Sequence, residues 1–306
     1  MLLSVKTKKG INKKRLLFIL CCVALPTISW LLQYVYANIA SIAMAFQGNE
    51  GQFTLENFVR FFEEFQKQSS DIRIAFKNTF LTFGILLIAF PFKILVSYFI
   101  YKKVPFYGFY RIVFFLPSII ASVCISLVFS NIIGVEGFIA EGVQKWLGLD
   151  YAPEFLADTR FANTVVLLHM LWLGFPGDLI IWGGTFARIP EELLESARID
   201  GVNWWKEFTR IVVPMVWPTV ALQMVLTFCG IFSASGAVFL LTEGEFGTMT
   251  ITAWMYIQLY KNSGNMYTSS AYNYMSAVGL LLTIVAITIS LVIRRTTDKV
   301  FEEVEF

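Results

Sequence analysis

The sequence predicts an all-helical membrane protein with six transmembrane helices. Of its 306 residues, 57% are hydrophobic and only 15% are charged, with a mean hydropathy of +0.65, whereas a soluble domain carries about 25% charged residues. The apolar residues form continuous runs, such as residues 80–92, rather than the alternating pattern of a membrane β-barrel. This composition excludes an ordinary soluble enzyme.

Six apolar runs reach the roughly 20 residues that a helix needs to cross a bilayer. They are Leu16–Phe46, Ile74–Ile100, Phe109–Ile133, Phe161–Ala187, Pro214–Leu241 and Ser270–Ile293. Between the runs, sixteen Lys and Arg residues fall on one side and seven on the other, which predicts that both termini are cytoplasmic. The first run follows a basic segment, as in a cleaved signal peptide, but it extends well past the usual length of about 7–15 apolar residues, which favours a signal anchor.

The charge and apolar pattern predicts one membrane domain without internal repeats. We expect a cytoplasmic basic tail over residues 1–15, the first span and an external loop over 16–73, a core domain over 74–295 and a cytoplasmic tail over 296–306.

Two long external segments, residues 47–73 and 134–160, carry five carboxylates each. They are either a solvated, partly helical cap or a docking surface for an external partner, and the sequence leaves both interpretations open.

Cysteine and histidine are too sparse for a metal or redox centre. All four cysteines fall inside predicted spans without a CxxC pair, so they are expected to pack as small apolar residues. The single histidine, His169, is expected to be packed or hydrogen-bonded. We assign no catalytic residue, no metal ligand and no cofactor to this chain.

The cytoplasmic segment over residues 188–214 is long and patterned, and it predicts two short helices. Gly201 suits the left-handed residue that ends the first helix, and Asn203 suits the cap of the second. An amphipathic pair of this kind can also lie in the lipid headgroups, with Trp204 and Trp205 as interfacial anchors.

The run from Glu195 to Pro214, ESARIDGVNWWKEFTRIVVP, resembles the EAA loop of ATP-binding cassette importer permeases. It departs from that pattern at Ser196 and Val202, where alanine is usual. The resemblance implies a type I importer permease fold, in which this loop is a coupling helix seated in a cleft of a separate ATPase subunit. The implied coupling residues are Glu195, Ala197, Asp200, Gly201, Phe208, Ile211 and Pro214.

ATP and magnesium are expected to bind to the partner ATPase, because this chain contains no Gly-Lys pair and hence no phosphate-binding P-loop. The segments Asn78–Thr79, Arg111–Pro117 and Leu241–Gly244 are similar to carbohydrate permeases of the larger maltose-transporter type. That similarity implies a multi-pass protein of the bacterial cell membrane that imports a sugar or oligosaccharide. The implied partners are a second homologous permease, two ATPase subunits, an extracellular solute-binding (lipo)protein and membrane lipid, with no nucleic acid.

The sugar site implied by this similarity lies around Trp172–Pro176 in the fourth span. It would include Leu173, Gly174 and Gly177, although Gly177 stands where an aromatic residue is usual. In the fifth span it would include Ser233 and Ser235, for which simple helix packing is the alternative. Gly174 and Pro176 also predict a helix kink, and a broken helix exposes backbone polar groups to a central cavity.

Asp178 is the carboxylate that the sequence places near the bilayer midplane, where a charge should face water or a partner. It either accepts hydrogen bonds from sugar hydroxyls or pairs with Lys93, and the two roles are compatible. A rival hypothesis is a secondary transporter that uses an ion gradient, with Asp178 as the ion or proton carrier. A membrane enzyme would need clustered histidines or carboxylates, which the sequence lacks.

Overall fold

The computed structural model describes residues 13–67, 70–233, 236–260 and 269–300, and for residues 13–16, 176, 177 and 269 it describes the backbone alone. Over these ranges the chain is helical without a strand, apart from one isolated bridge between Gln47 and Phe53. Six stretches of the described residues are long and apolar enough to cross a membrane, which confirms the predicted number. They are Leu17–Ala45, Asp71–Tyr101, Ser122–Leu147, Ala162–Phe186, Trp204–Cys229 and Ser270–Thr297.

Contacts divide the chain into two units, Met1–Phe61 with Thr268–Leu280 and Phe62–Tyr267 with Leu281–Phe306. The first unit contains helix α1 (Lys13–Trp30), a π-helical turn (Leu31–Tyr36) and α2 (Ala37–Ala45). After a short connection, Asn57 in the first turn of helix α3 (Glu56–Gln66) donates amide hydrogen bonds to two backbone carbonyls, those of Ala45 and Gln47, each at 3.1 Å.

The second unit contains most of the remaining helices. Helix α3 (Glu56–Gln66) begins in the first unit and ends in the second, and α15 (Ser269–Thr297) does the same. The others are α4 (Asp71–Tyr101), α5 (Tyr107–Ile119), α6 (Ser122–Ile133), α7 (Phe138–Leu147), α8 (Ala162–Gly174), α9 (Pro176–Phe186), α10 (Glu191–Ile199), α11 (Trp204–Glu207), α12 (Val213–Cys229), α13 (Gly236–Leu241) and α14 (Ile251–Tyr260).

The third span differs from its prediction as one helix over Phe109–Ile133. Helix α5 stops at Ile119, and two extended residues separate it from α6, so the candidate span runs over Ser122–Leu147 instead. Pro117 lacks the backbone N–H that would support the last turn of α5. The Ser118 hydroxyl also bonds to the Phe115 carbonyl at 2.8 Å, and local bonds of this type compete with the helical ladder.

The fifth span also differs from its prediction, because it begins at Trp204 and ends at Cys229 rather than covering Pro214–Leu241. A π-helical turn over Phe208–Val212 joins α11 directly to α12. Pro214 cannot donate a helical hydrogen bond, and a wider turn just before it accommodates the missing bond. The second short helix of the segment over residues 188–214 is therefore continuous with the fifth span.

The fourth span is broken where the sequence predicts a kink. Helix α8 ends at Gly174 and α9 begins at Pro176, with Phe175 between them. Pro176 has no N–H for the carbonyl four residues earlier, so the ladder is interrupted at this point.

The core of the second unit is aromatic and lies where α4, α9 and α12 meet. Tyr98, Trp182 and Phe186 are completely buried there, together with Val212 and Val216. At the other end of α4, the Asn78 amide donates to the carbonyls of Gly247 and Met249, at 2.7 and 2.9 Å. Helix α4 therefore organises this unit along its whole length.

Candidate functional site

A cavity of about 460 Å³ lies between helices α4, α6, α8, α9, α12 and α13 of the second unit. Four of the six residues predicted for a substrate site line it, namely Leu173, Gly174, Asp178 and Ser233. Ser235 lies outside the described residues, and for Gly177 only the backbone is described. The volume falls within the range of about 300–1,000 Å³ that is typical of small-molecule sites.

The break between α8 and α9 opens this cavity at Gly174. A methyl group placed on Gly174 would lie 3.6 Å from the Lys93 ammonium and 3.9 Å from Leu86. The glycine therefore leaves room beside a charged group at the position where the helical ladder is interrupted.

An ion pair crosses the cavity wall between α4 and α9. The Lys93 ammonium lies 2.9 Å from Oδ2 of Asp178, and the two side chains are 11% and 28% exposed. The predicted pairing of these residues is therefore observed. Because Asp178 keeps more than a quarter of its surface exposed to the cavity, the pair leaves its carboxylate accessible to a ligand.

His169 is fully buried on the same wall. Its Nε2 lies 3.1 Å from the Ser126 hydroxyl, its ring packs 4.7 Å from that of Phe129, and its Nδ1 has no hydrogen-bond partner among the described residues. The sequence prediction of a packed, hydrogen-bonded histidine is confirmed.

Several polar residues of the cavity escaped the sequence analysis, among them Ser122, Ser126, Gln223 and Thr227. Of these residues, Gln223 could have been predicted from the sequence. An amide inside the apolar run of α12 is costly to bury unless it has a polar partner. The serines and Thr227 carry no comparable signal because such residues are common packing residues in membrane helices.

The segment over residues 188–214 forms the predicted pair of helices. Gly201 has a φ of +70°, and the N–H groups of Gly201 and Val202 donate to the carbonyls of Arg198 and Ala197, at 3.1 and 3.0 Å. These two bonds form a Schellman motif, in which a glycine in the left-handed conformation ends the helix. The Asn203 side chain accepts a bond from the Lys206 N–H at 2.9 Å, so both the stop and the cap are confirmed.

The turn exposes some of the predicted coupling residues and buries others. Glu195, Asp200 and Gly201 are exposed, and Ile199 beside them is 86% exposed. Ala197 is buried, with only 6% exposure, so its side chain packs inside this chain while its carbonyl closes the turn.

The remaining coupling residues follow α11, in the π turn and at the start of α12; they are Phe208, Ile211 and Pro214. Phe208 is buried, whereas Ile211 and Pro214 are half-buried. The Phe208 ring lies 5.0 Å from Tyr98 of α4, so the π turn packs directly on the end of the second span.

Glu207 is the residue of this segment that the sequence analysis missed. Its side chain is only 4% exposed and lies 2.5 Å from the Lys102 ammonium, and the same oxygen accepts a bond from the Tyr98 hydroxyl at 2.9 Å. A glutamate within the apolar helical spacing of Trp204, Phe208 and Ile211 is a detectable signal, because a buried carboxylate needs a partner.

The second long segment predicted to be external, residues 134–160, overlaps the third candidate span, because that span ends at Leu147 and includes helix α7. Beyond the span, an ion pair joins Asp158 and Arg160 at 2.6 Å. Hydrogen bonds from the Arg160 side chain and backbone hold the pKa of the Asp158 carboxyl below its usual value. This carboxylate therefore stays charged at neutral pH.

Comparison with known families supports the geometric picture. The model of a family described as binding-protein-dependent transport system inner membrane component matches residues 72–300. The probable ABC transporter permease protein YesP of Bacillus subtilis is 24% identical over 245 residues, which cover 80% of this chain and 77% of that protein.

Two further relatives are named for sugars. The arabinooligosaccharides transport system permease protein AraP of Bacillus subtilis is 24% identical over 284 residues, covering 87% of this chain and 83% of AraP. The maltose/maltodextrin permease protein MalF of Vibrio cholerae is 31% identical over 136 residues, covering 44% of this chain and 26% of MalF.

The fold is shared with a solved structure, the crystal structure of a bacterial ABC transporter that imports the acidic polysaccharide alginate. A chain of that transporter superposes with a TM-score of 0.77 at 24% identity, covering 92% of this chain and 96% of that chain. The predicted importer permease fold is therefore confirmed.

Proposed function

Because the chain belongs to the family of binding-protein-dependent transport system inner membrane components, we propose that it is one permease subunit of an ATP-driven sugar importer. An external binding protein would deliver a sugar or oligosaccharide to a pathway formed with a second, homologous permease. Two cytoplasmic ATPase subunits would drive the transport step, since this chain contains no P-loop.

The observation that carries this proposal is that one helix serves both candidate sites. Helix α4 contacts the cytoplasmic helix pair through Tyr98 and Lys102, and it reaches the cavity through Lys93. Lys93 and Lys102 are nine residues apart, which is about 13.5 Å along a helix. A displacement of the helix pair would therefore move α4 and change the wall of the cavity.

The coupling proposal rests on the exposed turn between α10 and α11. Glu195, Asp200 and Gly201 would contact the ATPase, while Ala197, Phe208, Ile211 and Pro214 would hold the element against the membrane helices. A rigid element of this kind transmits a partner's closure as a rigid-body movement of the helices it contacts.

The cargo proposal rests on the lining of the cavity and on the relatives. Asp178, Lys93, Gln223 and Ser233 offer charged, amide and hydroxyl groups, which suit the many hydroxyls of a sugar. Leu173 and Gly174 would shape the wall, and Gly177 and Ser235 are retained in the proposed site from the sequence. Sugar oligomers are the cargo named for AraP and for the galactooligosaccharides permease GanP of Bacillus subtilis.

The test is sugar uptake by the purified assembly in lipid vesicles. A tagged full-length chain extracted in mild detergent should bring down a second permease and nucleotide-hydrolysing subunits. After reconstitution, uptake of a labelled oligosaccharide should require both ATP on the cytoplasmic side and the binding protein on the other.

The same vesicles test the rival hypothesis of an ion-gradient transporter that uses Asp178. Uptake that persists without ATP and stops when the proton gradient is dissipated would favour that rival. Uptake that continues when the proton gradient is dissipated and stops without ATP supports the importer.

A further inference from the structure

A second cleft, of about 490 Å³, lies between α4, α5 and α9 and shares no lining residue with the sugar cavity. Its polar lining consists of Ser97, Tyr101, Lys103, Tyr107 and Arg111. The lining therefore combines two cations with two phenols, which is a different chemistry from that of the cavity.

The two cations of this cleft, Lys103 and Arg111, stand apart from the ion pairs that the structure describes. Neither Lys103 nor Arg111 forms an ion pair with a carboxylate of the described residues, and both are exposed. The adjacent Lys102, by contrast, is paired with Glu207. The Arg111 guanidinium lies 5.7 Å from the centre of the Phe115 ring, beside the apolar part of the cleft. Two positive charges that line one concave surface, without an ion-pair partner among the described residues, suit an anionic group.

The backbone turns sharply where Lys103 enters the cleft. Lys103 has a φ of +52° and Phe106 a φ of +63°, values that residues other than glycine rarely adopt. The turn is fixed by a bond from the Lys103 N–H to the Ile100 carbonyl at 3.1 Å. A lysine therefore occupies a position whose backbone conformation favours glycine.

The cleft lies at the boundary of the membrane-spanning region and is apolar on its inner side. Helix α4 ends at Tyr101, and Arg111 lies about one turn after α5 begins. Leu179 and Ile180 form part of the lining, and Ile180 is 66% exposed. A methyl group on Gly183 or Gly184 would meet nothing within 4 Å, so this side of α9 is open to a chain lying along it.

We propose that this cleft binds an anionic phospholipid, with Lys103 and Arg111 on the headgroup phosphate and an acyl chain along α9. The hydroxyls of Tyr101 and Tyr107 supply further hydrogen-bond donors. The predicted orientation places the cleft at the cytoplasmic leaflet, whose anionic lipids attract basic groups. Phosphatidylcholine carries a phosphate too, but its ammonium group cancels the net charge that the two cations recognise.

The test measures lipid binding to the full-length chain, with any subunits that co-purify, by native mass spectrometry. Phosphatidylglycerol and phosphatidylcholine with the same acyl chains are titrated separately. We expect phosphatidylglycerol to bind at least tenfold more tightly. In the double variant Lys103→Gln/Arg111→Gln, the affinity for phosphatidylglycerol should fall by about ten- to thirtyfold. In each single variant it should fall by several-fold.

The matched control is Arg295→Gln, which removes an exposed cation from the end of α15. It should change the affinity for phosphatidylglycerol by less than about twofold. Thermal unfolding in phosphatidylcholine establishes whether each variant is folded. If the double variant is not folded, the affinities of the single variants are compared instead.

Any one of four results would overturn the proposal. The first three are equal affinity for the two lipids, an unchanged affinity in the double variant, and a control variant that binds as weakly as the double variant, which would mean general surface charge. Displacement of phosphatidylglycerol by millimolar inorganic phosphate would also overturn it, because the site would then be one for a soluble anion. None of these readouts depends on transport, so they leave the proposed function untouched.

Discussion

The two ion pairs of helix α4 differ in how much water reaches them. At the end of the helix, Lys102 and Glu207 are 18% and 4% exposed, and the carboxylate also accepts a bond from Tyr98. In the middle of the helix, Lys93 and Asp178 are 11% and 28% exposed and line the cavity.

The difference indicates two separate tasks. The buried pair, Lys102–Glu207, joins the helix pair to the end of α4, and the Lys102 ammonium lies 5.6 Å from the centre of the Tyr98 ring. Under the proposed function, the open pair, Lys93–Asp178, keeps a carboxylate available to a ligand in the cavity. Loss of one partner from a buried pair is far more costly than loss from a pair that water can reach. The following experiments exploit that contrast, beginning with the largest expected effect.

Removing the carboxylate of the buried pair should be the most damaging change. Glu207→Leu leaves Lys102, whose side chain is only 18% exposed, without its partner, and breaking a largely buried pair in this way costs about 3–5 kcal/mol. We expect a large loss of stability in thermal or denaturant unfolding of the purified chain, together with loss of ATP-driven uptake.

A double variant separates the charge from the packing. Glu207→Leu with Lys102→Met removes both charges, and it should recover most of the lost stability. Glu192→Gln, which neutralises an exposed carboxylate of α10, should have little effect. If Glu207→Leu were as stable as this control, the buried pair would not anchor the element.

The turn at Gly201 gives the next largest effect. Gly201→Pro cannot adopt a φ of +70°, because proline fixes φ near −65°, so the turn should break and ATP hydrolysis should continue without uptake. Gly201→Ala meets no atom within 4 Å and carries only the left-handed penalty of about 1–2 kcal/mol, so uptake should fall only partly.

The matched control for the turn is Gly142→Ala in α7, where a methyl group also meets nothing and φ is not positive. It should leave uptake unchanged. Normal coupling in Gly201→Pro would contradict the proposed role of the turn.

Neutralising the open pair should affect the ligand more than the fold. Asp178→Asn replaces a charged acceptor by a neutral one, a difference of about 1 kcal/mol per hydrogen bond, so the KM for sugar uptake should rise about five- to tenfold. Asp298→Asn, at an exposed site at the end of α15, is the control. If Asp178→Asn lost as much stability as Glu207→Leu, the proposed difference between the two ion pairs would be contradicted.

The smallest expected effect is that of Ser233→Ala, which removes one hydroxyl from the cavity lining. One neutral hydrogen bond is worth about 0.5–1.5 kcal/mol, so the KM should rise about two- to tenfold without a change in stability. Ser118→Ala, whose hydroxyl bonds only within α5, should leave the KM unchanged.

The sequence was sufficient for features that depend on local chemistry. The number of spans, the left-handed Gly201, the Asn203 cap and the break before Pro176 each follow from the residues at those positions. The break at Ile120 and the π turn at Phe208–Val212 were missed, because both depend on how neighbouring helical bonds adjust to a proline.

Long-range pairings were harder to predict. Lys93 could be matched with Asp178 because both are rare charges at a similar depth in an apolar segment. Lys102 and Glu207 lie 105 residues apart. Glu207 has a local signal in its apolar surroundings, but Lys102 lies beside Lys103 in a charged segment, so nothing in the sequence identified it as the partner.

The central claim is that the turn at Gly201 docks on an ATPase rather than lying among lipids, and crosslinking from a single cysteine with a thiol-directed photoactivatable reagent tests it most directly. In a chain whose four native cysteines are replaced, Ile199→Cys at the exposed turn is compared with Ile119→Cys, which lies at the end of α5 and is 79% exposed. The account predicts that in native membranes Ile199→Cys crosslinks to a nucleotide-hydrolysing subunit with an efficiency that changes when ATP is added, whereas Ile119→Cys does not. Labelling of Ile199→Cys only by lipid-soluble reagents, with no crosslink to such a subunit, would contradict it.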